Sequence, residues 1–427
     1  MANDLVMNGV PWFDERGETV NAHGVCVVED DGKYYLFGEY KSDDVNKFHG
    51  FSCYSSGDLC NWRFEGLALP PQESGLLGPD RIGERPKVMK CPKTGKYVML
   101  AHCDDMRYSD PTVGVAVADT ITGPYRLVGA LEYHGEPIRR WDIGSFQDRD
   151  GAGYLLLHEG DIYRLSDDYL SAEEKVAENI AEGGESPAMF RGAGDDGLYY
   201  VMFSNKTSWG SNDNFYLTAP SPAGPWTNRG LFAPEGSCTY DSQCSFIFPL
   251  TLADGSTQPV YMGDRWSFPH QVSAATQVWL PLKASGEKLS LPDEFWTSWD
   301  PKTGERAELT GEELAVRFAS NVAGASVEFP FDGARISLYA DVDLSGAYGT
   351  VEILDAEGNV VDSHVVTFYG PAPVKDAIRY TSPFLPQGEH YRLRVTVSGD
   401  KTEWFYKSGA RFGCSDTFVR VAKAVVW

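Results

Sequence analysis

The rhythm of hydrophobic and polar positions changes once along the chain, near Leu309. Before that point, turn residues repeatedly precede a short run of β-branched and aromatic residues, a pattern that predicts a hairpin turn entering a strand. The repeats are "DGKYYLFGEY" from Asp31, "TGKYVMLAH" from Thr94, "DGAGYLLLHEG" from Asp150, "DDGLYYVMFS" from Asp195 and "DGSTQPVYMGD" from Asp254. Their spacing of about 45 to 63 residues is close to one four-stranded blade each, so five repeats predict a five-bladed β-propeller.

Beyond Leu309 the chain alternates between apolar and polar residues, as in "ASVEFPFDGARISLYADVDL", with "DAEGN" and "SGD" turns between the runs. This alternation is typical of an antiparallel β-sandwich. We therefore expect an all-β protein, with a five-bladed β-propeller catalytic domain over residues 1–305 and a β-sandwich accessory domain over residues 306–427. The alternative for the first domain is an irregular β-sandwich whose hairpins merely resemble one another.

The amino-acid composition and net charge indicate which classes of binding partner are compatible with the protein. Apolar residues make up 42% of the 427 residues, and the formal net charge is −24. So acidic a protein repels both nucleic acid and anionic membranes, whereas a neutral oligo- or polysaccharide is compatible with it. No stretch approaches the roughly 18 apolar residues of a membrane span. We expect a carbohydrate partner, no nucleic acid and no membrane.

Cysteine spacing and the first residues bear on metals and localisation. The eight cysteines are scattered, without a CxxC pair or another metal-ligand spacing, so no metal site is predicted. The opening residues, "MANDLVMNGVPWFDERG", lack the basic start and the apolar stretch of a signal peptide. As written, the sequence predicts a cytoplasmic protein, although an extracellular protein whose signal peptide had been removed would look the same.

Polar residues interrupt the strand rhythm where inner propeller strands would end, and such residues line the central funnel of a propeller. Glu84 in "GERPKV", Asp142 in "RWDIGSF" and Glu185 in "GGESPAMF" each precede an apolar run in a different predicted blade. Acids gathered at one axis raise the pKa of at least one of them through desolvation and like-charge repulsion. A carboxylic acid that stays protonated near neutrality suits general acid catalysis.

Each acid also has a purely structural interpretation. Glu84 could pair with Arg85, and Asp142 with Arg139 or Arg140. The alignment of all three acids across blades favours function over structure.

Aromatic residues near these acids are candidates for a sugar-binding surface, because the C–H face of a pyranose packs on Trp or Tyr. The candidates are Tyr108, Trp209 and Trp266. Each could equally belong to the propeller core. In the second domain, Trp404, Phe405 and Tyr406 could form a carbohydrate platform or, alternatively, pack in the core or between the domains.

The order of these stretches resembles the glycoside hydrolases of family 43, and within that family the exo-β-1,3-galactanase branch. The stretches that carry the resemblance are "NAHGVCVV", "YYLFGEY", "SCYSSGDLCNW", "ERPKV", "TGKYVML", "DRDGAGYLL", "ESPAMF", "YYVMFS", "SQCSF", "DRW" and "VWLPL". They cover essentially the whole predicted propeller in the right order. The resemblance implies a five-bladed propeller that hydrolyses glycosides with inversion of anomeric configuration.

The resemblance also implies roles for the acids. Glu185 is the implied general acid, while Glu84 and Asp142 help to set its pKa and bind the terminal sugar. Most of the family uses a first-blade aspartate as the base, but this chain reads "NAHG" there, which is a feature of the galactanase branch. Gln243 takes the place that holds the attacking water, and acting as a base would require an imidic form or a proton relay. We expect Glu185 and Gln243 to lie roughly 6.5–9.5 Å apart, as inversion requires.

Further sugar contacts follow from the same resemblance. Glu39, Tyr108, Thr207, Trp209 and Gln243 match galactose-contacting positions of the branch. We add His23, Arg265 and Trp266 as further candidates.

The implied activity is release of galactose from the non-reducing end of β-1,3-galactan. One alternative is an exo-glycosidase of the same fold that acts on another terminal sugar, as an α-L-arabinofuranosidase or a β-D-galactofuranosidase. Another is a non-catalytic carbohydrate-binding propeller that has lost its base. No cofactor is required, since the chain has no phosphate-cradling glycine loop and no HExxH. The family allows a structural calcium ion at the propeller axis.

Overall fold

The computed structural model describes residues 3–193, 197–406 and 408–427. Within these residues the secondary structure is almost entirely β, and the helices are single turns at Gly75–Leu77, His158–Gly160 and Cys238–Asp241. The predicted all-β class is therefore confirmed. The turn predicted at Asp195 lies outside the described residues, and the strand that follows it begins at Tyr199.

The first two thirds of the chain form five antiparallel sheets, which we number I to V in chain order. Sheet I contains His23–Asp30, Lys33–Glu39, Phe51–Ser56 and Arg63–Leu69, and sheet II contains Arg81–Lys90, Tyr97–Asp105, Thr112–Ala118 and Arg126–Ala130. Sheet III contains Ile143–Gln147, Gly153–Leu157, Ile162–Leu165 and Ala172–Ala177, with Glu132–Tyr133 and Glu136–Pro137 at its edge. Sheet IV contains Gly184–Arg191, Tyr199–Asn205, Phe215–Ala219 and Thr227–Leu231, and sheet V contains Gln243–Thr251, Thr257–Arg265 and Thr276–Pro281.

The first strand of each of these sheets, which we call its inner strand, contacts the inner strands of the sheets before and after it. The inner strand of sheet V also contacts that of sheet I, so the contacts run in a circle. Each pair of neighbouring sheets encloses a hydrophobic core of its own. Leu36 of sheet I and Trp279 of sheet V, for example, are fully buried in the core that joins the last sheet to the first. A propeller fits this arrangement.

Four inner strands carry a β-bulge near their start. The pairing register shifts directly after His23, Glu84, Glu185 and Cys244. A bulge bends its strand and redirects a side chain, and bulges are common beside active sites. Pro86 and Pro187 lie within two of them, where the missing backbone N–H of proline interrupts no ladder of hydrogen bonds.

The start of the chain is joined to the segment that follows sheet V. Val6–Met7 pairs with Ser298–Asp300, which also pairs with Glu305–Arg306. The Gly9 amide donates to the Gln277 carbonyl at 2.8 Å, beside the last strand of sheet V. Between these elements, a hairpin is formed by strands Lys283–Ser285 and Lys288–Ser290. The domain boundary between residues 305 and 306 stays a prediction.

From Glu312 onward two further sheets share one core, and a sandwich fits them. The first contains Glu312–Leu314, Phe318–Ser320, Ile336–Val342, Val374–Thr381 and Val419–Val426, and the second contains Ser326–Phe331, Tyr348–Leu354, Val360–Thr367 and Tyr391–Val397. Every second residue of Tyr391–Val397 is buried, as the alternating sequence predicts. Glu403–Phe405 and Arg411–Gly413 pair separately as a hairpin, which we call the 403–413 hairpin.

None of the helices in the described part of the chain has the length and apolar character of a membrane span.

Candidate active site

A single arginine connects four of the five sheets. Arg85 follows the sheet II bulge residue and has a φ of 50°. Its backbone N–H donates to Glu39 Oε1 of sheet I at 2.9 Å, its Nε to Asp142 Oδ1 at 2.7 Å, and its Nη2 to Gln243 Oε1 of sheet V at 2.8 Å. Position 24 must be glycine here, because a Cβ would lie 2.4 Å from the Glu39 carboxylate. Although burial opposes its charge, Asp142 and Glu39 keep the pKa of Arg85 above its usual value.

Glu84, only 6% exposed, accepts hydrogen bonds on both carboxylate oxygens. Asn46 Nδ2 donates to Oε1 at 2.9 Å and Tyr108 OH at 2.7 Å, while His102 Nδ1 lies 3.1 Å from Oε2. Burial favours the neutral acid, but hydrogen bonding to His102 and its charge outweigh burial and lower the pKa of Glu84. Glu84 is therefore an ionised acceptor.

The second ring nitrogen of His102 lies 3.2 Å from Asp104 Oδ2. Burial alone would lower its pKa, but hydrogen bonds to Asp104 and Glu84 raise the pKa of His102 to about 9. The imidazolium is thus enclosed between two carboxylates. We call Glu84, Asn46, His102, Asp104 and Tyr108 together the Glu84 corner.

Glu185 lies half-buried at the sheet IV bulge, where it is paired in register with Ser204. The next residue, Ser186, has a φ of 56°, and its N–H donates to Asp142 Oδ2 at 3.2 Å. Ser204 Oγ accepts from Gln243 Nε2 at 2.8 Å and donates to the Glu185 carbonyl at 3.4 Å. The backbone around Glu185 is therefore connected to Asp142 on one side and, through Ser204, to Gln243 on the other.

A left-handed turn precedes Gln243. All four residues of Cys238–Asp241 have φ values between 51° and 58°, a conformation that costs roughly 1–2 kcal/mol for each residue other than glycine. Arg265 stabilises the turn, because Nη2 donates to the Tyr240 carbonyl at 3.0 Å and Nε to the Asp241 carbonyl at 3.2 Å. Such strain persists where surrounding contacts impose it, and it is typical of functional sites. We call Cys238–Asp241, Gln243 and Arg265 together the Gln243 corner.

Two tryptophans lie beside the amide of Gln243. Trp266 Nε1 donates to Gln243 Oε1 at 2.8 Å, and the Trp266 ring contacts that of Trp209 edge to face at 5.3 Å. Lys41 Nζ lies 5.9 Å from each ring centroid and 2.5 Å from Glu39 Oε2. The arrangement places an aromatic surface, a cation and an amide together, a combination suited to a sugar.

His23 and Thr207 have contrasting surroundings. His23 is buried 6.1 Å from the Trp266 ring, and neither of its ring nitrogens has a hydrogen-bond partner among the described residues. Burial and the charge of Lys41 lower the pKa of His23 to about 3, so the imidazole is neutral. Thr207 Oγ1 donates to the Gly210 carbonyl at 2.6 Å and accepts from Asn212 at 2.7 Å. Contact of either residue with a sugar stays a prediction.

The structure thus brings most of the predicted site residues together around Arg85. Arg265 lies behind the left-handed turn, where its guanidinium contacts backbone carbonyls. The structural pairings considered from sequence differ from those observed: Arg85 pairs with Asp142, Arg139 with Asp110 and Arg140 with Asp161.

Sequence reasoning missed Lys41, Asn46 and His102 as site residues. One signal was available for His102, because "LAHCDD" places His102 and Asp104 on the same face of a strand. Pairing in register then sets His102 opposite Glu84. Asn46 lies in a loop without strand periodicity, so no local pattern identified it.

The charges of the site bear on metal binding. Three of the acids already have a cationic side chain beside them: Glu39 has Lys41, Glu84 has His102 and Asp142 has Arg85. The buried Lys87 Nζ donates to the Gly24 and Val25 carbonyls, at 2.6 and 2.7 Å, between the inner strands of sheets I and II. Over the described ranges, no three His, Cys, Asp or Glu side chains group so as to hold a metal ion. Glu39, Glu84 and Asp142, whose charges protein cations already neutralise, do not fit as ligands of a calcium ion.

Comparison with solved structures found relatives along the whole chain. An exo-β-1,3-galactanase from Phanerochaete chrysosporium, solved with galactose, is 25% identical, with a TM-score of 0.72 over 99% of this chain and 100% of its own. An exo-β-1,3-galactanase from Clostridium thermocellum is also 25% identical, with a TM-score of 0.65 over 97% and 88%. A candidate exo-β-1,3-galactanase from Bifidobacterium bifidum s17 is 40% identical, with a TM-score of 0.61 over 67% and 95%. No protein-family model and no curated protein matched the chain.

Proposed function

The chain belongs to glycoside hydrolase family 43, in its exo-β-1,3-galactanase branch, and we propose that it releases galactose from the non-reducing end of β-1,3-galactan with inversion. The observation that carries the proposal is the connection around Arg85. Arg85, the residue after Glu84, donates to both Asp142 and Gln243. The Ser186 N–H, next to Glu185, also donates to Asp142. Residues from sheets II to V thereby converge on one site.

We interpret the five sheets as the blades of a five-bladed propeller, followed by the sandwich. The inner strands contact one another in a circle, and a separate core lies between each pair of neighbours. The bulges near the start of the inner strands then open toward one funnel, which is where an exo-acting enzyme would hold a chain end.

Glu185 is the general acid in this proposal, in the position that the family resemblance implies. Glu84 is held as a carboxylate by His102, and Asp142 is bound to Arg85. Both carboxylates are engaged by these cations, which leaves Glu185 as the acid assigned to the proton transfer. A protonated Glu185 can then deliver its proton to the bridging oxygen of the leaving chain.

Gln243 positions the attacking water rather than accepting its proton. Its Oε1 accepts from both Arg85 Nη2 and Trp266 Nε1, which occupies both lone pairs of the amide oxygen. One Nε2 hydrogen is donated to Ser204 and the other is available for a water molecule. The water proton therefore leaves by another acceptor or through further water. The separation of roughly 6.5–9.5 Å between acid and water-holding group remains our expectation.

The sugar is held by the surfaces that surround the amide. The rings of Trp209 and Trp266 offer a face for the apolar side of galactose, while Glu39 and Tyr108 offer oxygens to its hydroxyls. Thr207 offers a hydroxyl, whereas both ring nitrogens of His23 are buried, so His23 supports the site from behind Trp266. The proposed chemistry consists of proton transfer and attack by water, so it requires no cofactor, and chelator-treated enzyme should keep its activity.

The decisive experiment measures galactose release from β-1,3-galactan and β-1,3-galactobiose, with 4-nitrophenyl arabinofuranoside and galactofuranoside as competing substrates. We expect galactose from the first two, formed first as the α-anomer in a proton NMR time course. Glu185→Gln should lose on the order of 10²–10⁴-fold in rate, as expected when a general acid is removed. The exposed Glu182→Gln, three residues away, is the matched control and should keep full activity.

Activity on the furanosides alone would keep the acid but reject the galactan substrate. β-Galactose as the first product would reject inversion. Near-normal turnover by Glu185→Gln would reject the assignment of the acid.

A further inference from the structure

Two buried charged side chains bind the same peptide at the sheet I bulge. Lys87, on the inner strand of sheet II, is fully buried, and Asp264, on the second strand of sheet V, is 1% exposed. The Gly24 amide donates to Asp264 Oδ1 at 3.1 Å, and the Gly24 carbonyl accepts from Lys87 Nζ at 2.6 Å. We propose that Lys87 and Asp264 are positioning residues, which fix Gly24 so that Glu39 and Arg85 keep the geometry that hydrolysis requires. Both roles rest on the function proposed above. We call Lys87, Gly24 and Asp264 together the Gly24 clamp.

The bulge explains why side chains bind the backbone here. The pairing register of sheet I shifts between His23 and Cys26, and the peptides of Gly24 and Val25 fall within that shift. A buried backbone group without a partner costs free energy comparable to a lost hydrogen bond. Lys87 Nζ also donates to the Val25 carbonyl at 2.7 Å, so one ammonium group satisfies both carbonyls. The bulge of sheet I is therefore held by side chains from sheets II and V, its two neighbours.

Gly24 in turn contacts two residues of the candidate site. A Cβ at this position would lie 2.4 Å from Glu39 Oε1 and 3.2 Å from the Arg85 backbone nitrogen, so the glycine lies directly against both. Glu39 Oε1 accepts from that same Arg85 N–H at 2.9 Å. The Arg85 guanidinium donates to Gln243, whose amide holds the attacking water in the proposed mechanism. A displaced Gly24 would therefore move Arg85, and the water-holding amide with it.

Asp264 also lies next to Gln243 within sheet V. The two residues are paired in register on adjacent strands, and Asp264 is paired with Gln277 on its other side. Directly paired residues present their side chains to the same face of a sheet. Gln277 Nε2 donates to Asp264 Oδ1 at 3.3 Å and to the Ala22 carbonyl at 2.9 Å. Asp264 therefore connects sheet V, which carries Gln243, to the sheet I backbone both directly and through Gln277.

Burial makes both charges of the clamp costly. It lowers the pKa of Lys87 to about 8 and raises the pKa of Asp264 to about 6, because each charged group has lost its contact with water. Well-packed apolar residues of similar volume are often as stable as buried ionic groups. Apolar side chains could not bind the N–H and the carbonyl of one peptide, however. Charged groups at these two positions therefore fit a requirement for geometry better than a requirement for stability.

Paired variants of Asp264 test the clamp through kcat on β-1,3-galactobiose. Asp264→Asn keeps an oxygen for the Gly24 N–H and should retain kcat within about threefold. Asp264→Leu has a similar volume but no acceptor, and it should lower kcat about 10- to 100-fold. Asp148→Leu is the matched control, because Asp148 is a buried acid that accepts from Arg191 and Tyr199 just beyond the far end of the sheet III inner strand. The control should lose stability but keep kcat.

Lys87→Met removes both bonds to the bulge while keeping an unbranched side chain, and it should lower kcat by a similar factor. In a Gln243→Ala background its effect should shrink to within about twofold, because the amide through which it acts is then absent. A merely structural role would lower kcat by the same factor in both backgrounds. Parent kcat in Lys87→Met and Asp264→Leu, or equal losses in the two backgrounds, would overturn the clamp.

Two further measurements keep the clamp falsifiable. Lys87→Gln serves if the apolar variants do not fold; its shorter neutral amide cannot reach both carbonyls, so kcat should fall, and parent kcat would overturn the clamp. A crystal structure of Lys87→Met or Lys87→Gln should show the Arg85 guanidinium displaced from Gln243, and an unmoved Arg85 would equally overturn it. The proposed function is judged separately, by galactose release from β-1,3-galactan with the unaltered protein. An active enzyme with parent kcat in Lys87→Met would keep the function and lose the clamp.

Discussion

The two corners of the candidate site are stabilised in different ways. In the Glu84 corner, an imidazolium between two carboxylates is buried on two paired strands of sheet II, beside a bulge, and each charge depends on the others. In the Gln243 corner, the backbone itself is strained into a left-handed turn, and one arginine binds its carbonyls. Buried charges therefore stabilise the Glu84 corner, whereas the Gln243 corner depends on a strained backbone conformation.

This difference predicts different costs of mutation. Removing one member of a buried ion pair leaves an uncompensated charge, which destabilises the whole protein. Releasing a strained turn lets the backbone relax, so stability changes little while the geometry of the site is lost. The Glu84 corner should therefore respond mainly in stability and the Gln243 corner mainly in activity.

The largest effect is expected for Gln243→Ala. Loss of the group that holds the attacking water should lower kcat on the order of 10²–10⁴-fold, comparable to loss of an acid–base group. The melting temperature should fall modestly, because Arg85 and Trp266 each lose an acceptor when this half-buried side chain is removed. Steady-state kinetics and a melting curve on the same preparation test this. Unchanged kcat would contradict the role, and greater recovery in Gln243→Glu than in Gln243→Ala would indicate that a base is tolerated there.

His102→Gln should mainly affect stability. The change leaves Glu84 and Asp104 buried without the cation between them, and breaking a buried pair costs about 3–5 kcal/mol of unfolding free energy. Urea denaturation measures this loss. His364→Gln is the control, because it removes a histidine 2.8 Å from Asp362 in the sandwich, where both side chains are partly exposed. Equal destabilisation by the two variants would contradict a larger contribution of the Glu84 corner to the unfolding free energy.

A smaller effect is expected for Arg265→Lys. Lysine cannot donate to two carbonyls in the fixed geometry of a guanidinium, so the turn before Gln243 should lose about one charged hydrogen bond, and kcat should fall roughly tenfold. Arg335→Lys is the matched control, since Arg335 is equally buried and donates to the Ser382 carbonyl, far from the site. A fall in kcat for both variants would indicate a general loss of fold rather than loss of the turn.

The last expectation is a pH dependence of stability. Because the pKa of His102 is raised from 6.5 to about 9 in the folded protein, its contribution to stability is complete below pH 6.5 and is lost as pH rises through 9. The unfolding free energy of the parent should therefore decline over that interval, and His102→Gln should decline less. Denaturation curves at several pH values measure the difference. Parallel curves for the two proteins would contradict a charged His102.

Much of the architecture could be predicted from local pattern. The five turn-and-strand repeats and the later alternation predicted the all-β class, because a strand and its turn are encoded by residues that are neighbours in sequence. Pro86 of "ERPKV" and Pro187 of "ESPAMF" lie within two of the bulges, a local signal that the sequence predictions did not use. Glu84, Asp142, Glu185 and Gln243 were found as residues that break the strand rhythm and match the motifs of a family.

Tertiary structure alone decided the electrostatics of the site. Arg85 reaches Gln243 across 158 residues of sequence and Asp142 across 57, and no local pattern identifies such partners. The left-handed turn was equally hidden, because Cys, Thr and Tyr of "CTYD" do not favour positive φ, and contacts from the distant Arg265 stabilise it. Sequence by itself determined which segments become strands and which residues are candidates for the chemistry. The packing of distant segments decided which charges neutralise one another and which side chains enclose a cavity. Burial and charge pairing are properties of the assembled fold.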